Sequence, residues 1–294
     1  MQPGSIRTVA IILALALGAL CPWAAAGAVV IPWSVASMLF IVFLGTPVTS
    51  ARPQRAHLHL LGANVLIAAL AYGSGWLLGG RDVALAGFFA GIAPTAAAAP
   101  VVVSLLGGNV AFVVAAFLLS NIVIAVLLAA TLPWLLGMTG GIEIFGIASS
   151  IGLVVFIPML LASLLRRLHP AAGGWPRRLT NFSFGLWVLT LFLITAKASA
   201  YLRYETEGSA AALGAIGALA AATCAASFAL GYVLGRPTFA REASQSLGQK
   251  NTTFTIYLAL AHASPLIALG PTFYVLWHNL WNAWNLHRTP PRSR

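Results

Sequence analysis

Charge is what this sequence has least of. Only 7% of its 294 residues are Asp, Glu, Lys or Arg, where a soluble domain carries about 25%. A chain so poor in charge has little with which to cover a water-facing surface, and 60% of it is hydrophobic. That excludes an ordinary soluble enzyme or binding domain and points to lipid as the main solvent. Acids are the scarcest, 5 against 16 basic residues. No two carboxylates pair within an apolar run, so the membrane lacks an acid–base couple. The two cysteines, Cys21 and Cys224, lie inside apolar runs and make no disulfide framework or ligand pattern. The histidines show no metal spacing, and there is no Gly-Lys-Ser/Thr phosphate loop. Neither a membrane enzyme nor an ATP-driven pump is expected, and no cofactor or metal is implied. The net charge of +11 does not indicate nucleic acid. The arginines fall in short gaps between apolar runs, not on one face or tail.

What is present is a succession of apolar runs. A transmembrane helix needs about 20 mainly apolar residues. Candidate spans are 8–26, 29–46, 58–79, 83–105, 109–136, 144–165, 182–200, 209–235, 239–263 and 265–286. The first also has the form of a signal peptide, with Arg7 ahead of its apolar core and Ala24-Ala25-Ala26 after it. Charge supports about ten spans. With the N-terminus inside, the inner gaps hold Arg7; Arg52 and Arg55; Arg166, Arg167, Arg177 and Arg178; Arg236 and Arg241; and Arg288, Arg292 and Arg294. The outer gaps hold Arg81, Lys197 and Arg203, with the acids Asp82, Glu143, Glu205 and Glu207. This is the positive-inside pattern, and it puts both termini in the cytoplasm. The short loops suggest a prokaryotic inner (cytoplasmic) membrane. No extramembrane domain is visible, so 1–294 reads as one transmembrane domain. Ten spans divide into 1–136 and 144–286, two halves with an odd number of spans each and therefore inverted relative to one another.

Two spans break the apolar pattern. The fourth reads Ala93-Pro94-Thr95-Ala96-Ala97-Ala98-Ala99-Pro100, and two prolines separated by small residues predict an interrupted helix. The ninth contains Ser244-Gln245-Ser246-Leu247-Gly248-Gln249-Lys250-Asn251-Thr252-Thr253, the most polar stretch in any span. These spans occupy equivalent places in the two halves. Paired broken helices are the best pointer from sequence to a transporter's central site, and irregular backbone at membrane depth survives only when buried or lining a wet cavity. A simple proline kink in one and a loop in the other is the plainer alternative. Lys250 stands near the middle of span nine. A Lys at the bilayer centre costs about 2.5–3.5 kcal/mol, so it is expected to face the interior and to be functional. No Asp or Glu lies at its depth. Glu242, beside Arg241, sits at the cytoplasmic edge. Thr95, Lys250, Asn251, Thr252 and Thr253 are the candidate substrate-binding residues, and Pro94, Pro100 and Gly248 mark the crossover. Dipole ends of half-helices together with Lys250 favour an anion, most simply a carboxylate. Ser120 and Asn121 are expected to hydrogen-bond between helices. The tryptophans of the last span, Trp277, Trp281 and Trp284, are expected to anchor at the membrane interface.

Pro94 with its small followers, the run Leu105-Leu106-Gly107-Gly108-Asn109-Val110, Pro133, the pair Gly248 and Asn251, and Ala259-Leu260-Ala261 resemble the bile acid:sodium symporter family. That family belongs to the bile acid/arsenite/riboflavin transporter superfamily. The likeness extends over essentially the whole chain. It implies an all-α polytopic membrane protein of ten helices in two inverted five-helix repeats. Broken helices four and nine would cross in a core domain beside a panel domain, with alternating access and small organic anions as substrates. Asn251 matches a position that faces the cavity between core and panel. The resemblance also implies cation-site positions, and there the sequence departs from it. The ninth-helix Glu and Gln that supply oxygens to sodium fall on Ser246 and Lys250. The fourth-helix Ser-Asn pair falls on Ala99 and Pro100, and the fifth-helix hydroxyls on Val113 and Phe117. Lys250 is therefore expected to replace the bound sodium with its own charge. Transport is expected to be sodium-independent, with a proton as the possible coupling ion if the amine loads and loses one during the cycle. A conventional sodium-coupled symporter and a membrane sensor that binds without transporting are the alternatives. Substrate identity, direction and oligomeric state are not encoded legibly.

Overall fold

The fold is that of a computed structural model, which describes residues 3–46, 52–204 and 210–288. Glu205, Glu207, Arg292 and Arg294 of the charge pattern lie outside the described residues. All regular structure among the described residues is helical, apart from one isolated antiparallel bridge. The helices are α1 (Pro3–Leu20), α2 (Ile31–Gly45), α3 (Arg55–Ile92), α4 (Ala99–Leu105), α5 (Val110–Leu136), α6 (Gly141–Ile151), α7 (Ile157–Leu168), α8 (Trp175–Arg178), α9 (Thr180–Tyr204), α10 (Ala210–Leu234), α11 (Ala240–Gly248), α12 (Thr252–His262) and α13 (Pro265–Arg288). A 3₁₀ segment, Pro22–Val30, leads into α2. A π-helical turn, Gly152–Phe156, joins α6 to α7 just before Pro158, which has no N–H to keep the tighter ladder.

Six helical stretches among the described residues are long and apolar enough to cross a membrane: Pro22–Gly45, Arg55–Ile92, Val110–Leu136, Gly141–Leu168, Thr180–Tyr201 and Ala210–Leu234. Large apolar side chains also point away from the protein, among them Leu77 at 88% exposure, Trp134 at 85% and Ile142 at 90%. Isolated exposed leucines are ordinary. So many exposed large apolar side chains, on long apolar helices of a chain this poor in charge, mark an integral membrane protein.

The first expected span, α1, is not among those six, and three others, the fourth, ninth and tenth, are missing for physical reasons. The α3 segment has 38 residues. A straight helix of that length would measure about 57 Å, nearly twice the ~30 Å hydrocarbon core. The α3 segment is not straight. Gly79 and Gly80 leave helical geometry, and Gly80 has φ 76°. That is a left-handed angle, which glycine adopts without strain. The two arms then pack antiparallel with backbones in contact. A Cβ on Gly75 would lie 2.6 Å from Ala84 Cα, and one on Gly91 2.7 Å from Ala68 Cα. The α3 segment is thus a hairpin whose second arm, about 18 Å long, ends at the first interruption. At the second, α11 runs only from Ala240 to Gly248 and α12 only from Thr252 to His262. Each is too short to span. Helix α13 carries eight Trp, His or Asn residues in its last twelve positions, which lowers its apolar character.

Packing sorts most helices into two groups. The first holds α1, the 3₁₀ segment and α2 with α7 and α9. In the second, α3 packs on α10 and α13, and α10 on α11 and α13. A shared apolar core joins them, with Phe43, Phe117, Ile151, Leu191 and Phe254 among its buried members.

Candidate functional site

The site forms where two helices stop inside the protein. Pro94 offers no N–H and disfavours helical geometry in the residue before it. Ala93 accordingly turns to φ −50°, ψ 135°, and α3 ends at Ile92. The chain resumes helix at Ala99, with Pro100 in the first turn, where a missing N–H costs nothing. On the other side α11 ends at Gly248, Gln249 and Asn251 are non-helical, and α12 starts at Thr252.

Stopping a helix leaves orphan backbone groups, which must be satisfied when buried. Here the two interruptions satisfy each other. Thr95 and Lys250 form an antiparallel bridge. The Ala96 N–H donates to Gln249 O (2.7 Å), and the Asn251 N–H donates to Pro94 O (2.7 Å). Helix α5 supplies the rest. Ser120 Oγ accepts from the Thr95 N–H (3.0 Å), and Asn121 Nδ2 donates to Thr95 O (3.0 Å). Ser120 and Asn121 thus bond between segments as expected. The Thr95 hydroxyl donates to Ser246 O (2.6 Å), and Asn251 Nδ2 reaches Asn121 Oδ1 at 3.4 Å.

Lys250 is 2% exposed. Its ammonium has three donors, and three oxygens receive it: Asn64 Oδ1, Gly91 O (2.7 Å) and Ala93 O (3.3 Å). Gly91 and Ala93 stand at the C-terminal end of α3, where carbonyls lack helical partners and the dipole favours a cation. Asn64 comes from the first arm of the α3 hairpin. Its Nδ2 donates to Ile92 O (2.9 Å), which fixes its Oδ1 toward the amine. All three acceptors are neutral. Glu242 stands two turns back along α11, about 12 Å by helical rise. Its carboxylate is engaged by the Asn109 N–H (2.6 Å). The amine of Lys250 is therefore held by neutral oxygens alone. Beside it lies a cavity of ≈ 20 Å³ lined by His57, Asn64, Thr95, Ser120 and Ser246 among others, enough room and polarity for about one water.

The residues singled out from sequence gather here unequally. Thr95, Ser246, Lys250 and Asn251 share the hydrogen-bonded crossing. Ser246 Oγ donates to Glu242 O (2.8 Å) along its own helix. Ala99 is fully buried in the first turn of α4, beside Pro100. Thr252 and Thr253 open α12 and are buried. Gly248 presses against the Phe228 ring, and Gly248 O accepts from the Tyr274 hydroxyl (2.8 Å). Val113 and Phe117 are buried apolar residues and bring no oxygen. Of the five expected substrate-binding residues, Asn251 alone is only part-buried. With its three hydrogen bonds made inside the protein, Lys250 is not a hand offered to a ligand. Sequence reasoning missed Asn64 and the Gly91 and Ala93 carbonyls. Asn64 had a signal, being an amide in the apolar run Leu60 to Leu70; carbonyls have none. Among the described residues no group of three His, Cys, Asp or Glu is placed to hold a metal.

Compared with protein-family models and with curated proteins, the chain matches none.

Proposed function

We propose that the protein is a secondary transporter, one that moves its substrate by alternating access without spending ATP. More particularly, it carries small organic anions in the manner of the bile acid:sodium symporters, and it does so without sodium because Lys250 supplies the positive charge at the crossing. On this reading the chain has ten spans in two inverted five-helix repeats, 1–136 and 144–286. The α3 hairpin, α4 and α5 correspond to α10, α11, α12 and α13. The group of helices around α3, α10 and α13 is the core, and the group around α1, α2, α7 and α9 is the panel that moves against it. Both termini are cytoplasmic, and the protein is not an enzyme.

The observation that carries the reading is Lys250: a buried ammonium on one interruption, without a carboxylate, held by Asn64 Oδ1 and by two carbonyls at the interrupted end of α3. A charged residue inside a membrane domain is costly and is kept for a function. A fixed ammonium removes the need for a dissociable cation. It also leaves the N-terminus of α12, which opens at Thr252 beside part-buried Asn251, as the polar end available to a carboxylate.

The test is flux of labelled organic anions into liposomes holding the purified protein, with and without sodium and across a pH gradient. Flux indifferent to sodium is expected, and a response to the pH gradient would identify a proton as the coupling ion. Flux that requires sodium would overturn the role given to Lys250. Binding without flux of any anion tested would favour the sensor alternative.

A further inference from the structure

A second polar feature lies away from the crossing, at the far end of the same helices. The turn of the α3 hairpin (Arg81, Asp82), the end of α5 (Leu136), the end of α9 (Tyr201) and the turn between α12 and α13 (His262, Ala263, Ser264) enclose an open pocket of ≈ 230 Å³. Leu85 and Ile267 also line it, but at 2% and 4% exposure they offer it little apolar surface. Its rim is polar. All its charged rim residues fall in gaps that the distribution of Arg and Lys places outside the membrane.

Arg81 is held in position. Its Nη2 donates to Leu136 O (2.7 Å), a carbonyl at the C-terminus of α5 that has no helical partner. A guanidinium carries five N–H donors, so this anchor orients the group and leaves donors to spare. Facing it is the start of α13, where Ser264 Oγ accepts from the Ile267 N–H (3.3 Å). The helix presents its positive end there. His262 is tethered through Nε2 to Ser150 Oγ (2.8 Å). One wall is Tyr201 of α9, which belongs to the first packing group, while α3 and α13 belong to the second. The pocket therefore opens at the seam between the two groups, where a movement of one against the other would change its width.

We infer that this pocket is an outer-face subsite for a small organic monoanion, with Arg81 as the residue that receives its carboxylate or sulfonate. The assignment rests on the transport reading above for its purpose, as the entry to the path, but not for its chemistry. Asp82 stands on the same rim and sets the charge limit: it repels a second negative charge, so a monoanion is taken in preference to a dianion.

The chemistry is testable without knowing the substrate. Ala263→Cys, and separately Tyr201→Cys on the opposite wall, are placed in sealed vesicles and treated from outside with two membrane-impermeant methanethiosulfonates. One bears a sulfonate and the other a quaternary ammonium, and the unsubstituted protein, with Cys21 and Cys224, gives the background. The ratio of the two rates is compared with the ratio for a free small thiol. The ratio is expected to favour the sulfonate and to fall about tenfold when Arg81→Gln is added, as removal of a unit charge a few ångströms away implies. It is expected to rise with Asp82→Asn and to shrink toward the free-thiol value in high salt. A ratio indifferent to Arg81→Gln, or thiols at both positions that react only from the other side or not at all, overturns the assignment. Lys250→Gln separates the two proposals. It is expected to leave this ratio unchanged while reducing flux. An anion-selective pocket in a protein without flux sinks the transport reading alone, and flux with an indifferent pocket sinks the subsite alone.

Discussion

The two interruptions at the centre of the protein are built from opposite materials. The first, between α3 and α4, is made by backbone chemistry: two prolines, Pro94 and Pro100, around four alanines and Thr95. It contributes carbonyls and takes its hydrogen bonds from elsewhere, chiefly from Ser120 and Asn121 on α5. The second, between α11 and α12, has no proline and is made by side-chain chemistry, with Gln249, Lys250 and Asn251 in place of a turn of helix. It contributes the charge. Each is incomplete without the other. The open end of α3 has carbonyls that want a cation, and the ammonium of Lys250 wants oxygens. The difference teaches that two interruptions that complete one another need not carry matched chemistry. One break can serve as the socket and the other as the plug.

The sharpest way to break that comparison is to remove the plug. Lys250→Gln leaves Gly91 O, Ala93 O and Asn64 Oδ1 facing an uncharged amide. Loss of an interaction worth about 2.7–4 kcal/mol corresponds to about a hundredfold or more in rate. Anion flux is expected to fall by about that factor. Flux at the unmodified rate, still independent of sodium, would show that the charge has no part in transport. Removing part of the socket is the next largest perturbation. Asn64→Leu keeps the ammonium buried but takes away one of its three oxygens. Hydrogen bonds to a charged group are worth about 1.5–3 kcal/mol. The expected loss of stability is of that size, read as a lower thermal midpoint in detergent. Combined with Lys250→Met it should cost much less than the sum of the two changes, because both act on one contact. Simple additivity would mean that Asn64 and Lys250 are not coupled.

The sequence carried the positions of both interruptions, because each rests on residues with strong local rules: Pro94 and Pro100 in one case, a polar run inside a span in the other. It also carried the interior placement of Lys250, since an ammonium facing lipid is too unstable to keep. The bonding of Ser120 and Asn121 was legible for the same reason. What it did not carry is how the two interruptions meet. The shell around Lys250 is two main-chain carbonyls and Asn64, 186 positions away, and carbonyls are present at every residue. Nor did it foretell that Arg81 and His262 share a pocket, since only the pairing of the α3 turn with the α12–α13 turn brings them together. The glycine pair Gly79–Gly80 marks the hairpin turn, but its tight register depends on small residues on both arms, which composition alone does not distinguish from ordinary membrane packing.

An effect on stability of similar size, with none on the ion dependence of flux, is expected at the opposite end of α11. There Glu242, 8% exposed, accepts the Asn109 N–H, and Arg241 donates to Leu106 O. The first turn of α11 thereby grips the turn between α4 and α5. No room is left beside it, since a Cβ on Gly108 would stand 2.6 Å from Glu242 Oε1 and 2.8 Å from Val103 Cγ1. The grip ties the second interrupted helix to the first at a place remote from Lys250. Glu242→Ala is expected to cost about 1.5–3 kcal/mol through the lost charge-assisted bond, without making flux sodium-dependent. A gain of sodium dependence would connect this carboxylate to the cation position and blur the division between socket and plug.

The finest comparison sets one hydroxyl at each interruption against the other. Ser120 Oγ accepts the Thr95 N–H in the first, and the Tyr274 hydroxyl donates to Gly248 O in the second. Ser120→Ala leaves a buried N–H with no acceptor, and such donors are rarely left unpaired in proteins. Tyr274→Phe leaves a carbonyl, which has a second lone pair and tolerates under-satisfaction better. The deleted hydroxyls are both buried. Ser120→Ala is therefore expected to lower stability by about 1–3 kcal/mol and Tyr274→Phe by about 0.5–1.5 kcal/mol, measured as thermal midpoints of the two variants side by side. The order matters more than either value. If Tyr274→Phe proves the costlier, then the second interruption depends on α13 as heavily as the first depends on α5. The two would then be supported alike, and their asymmetry would reside in Lys250 alone.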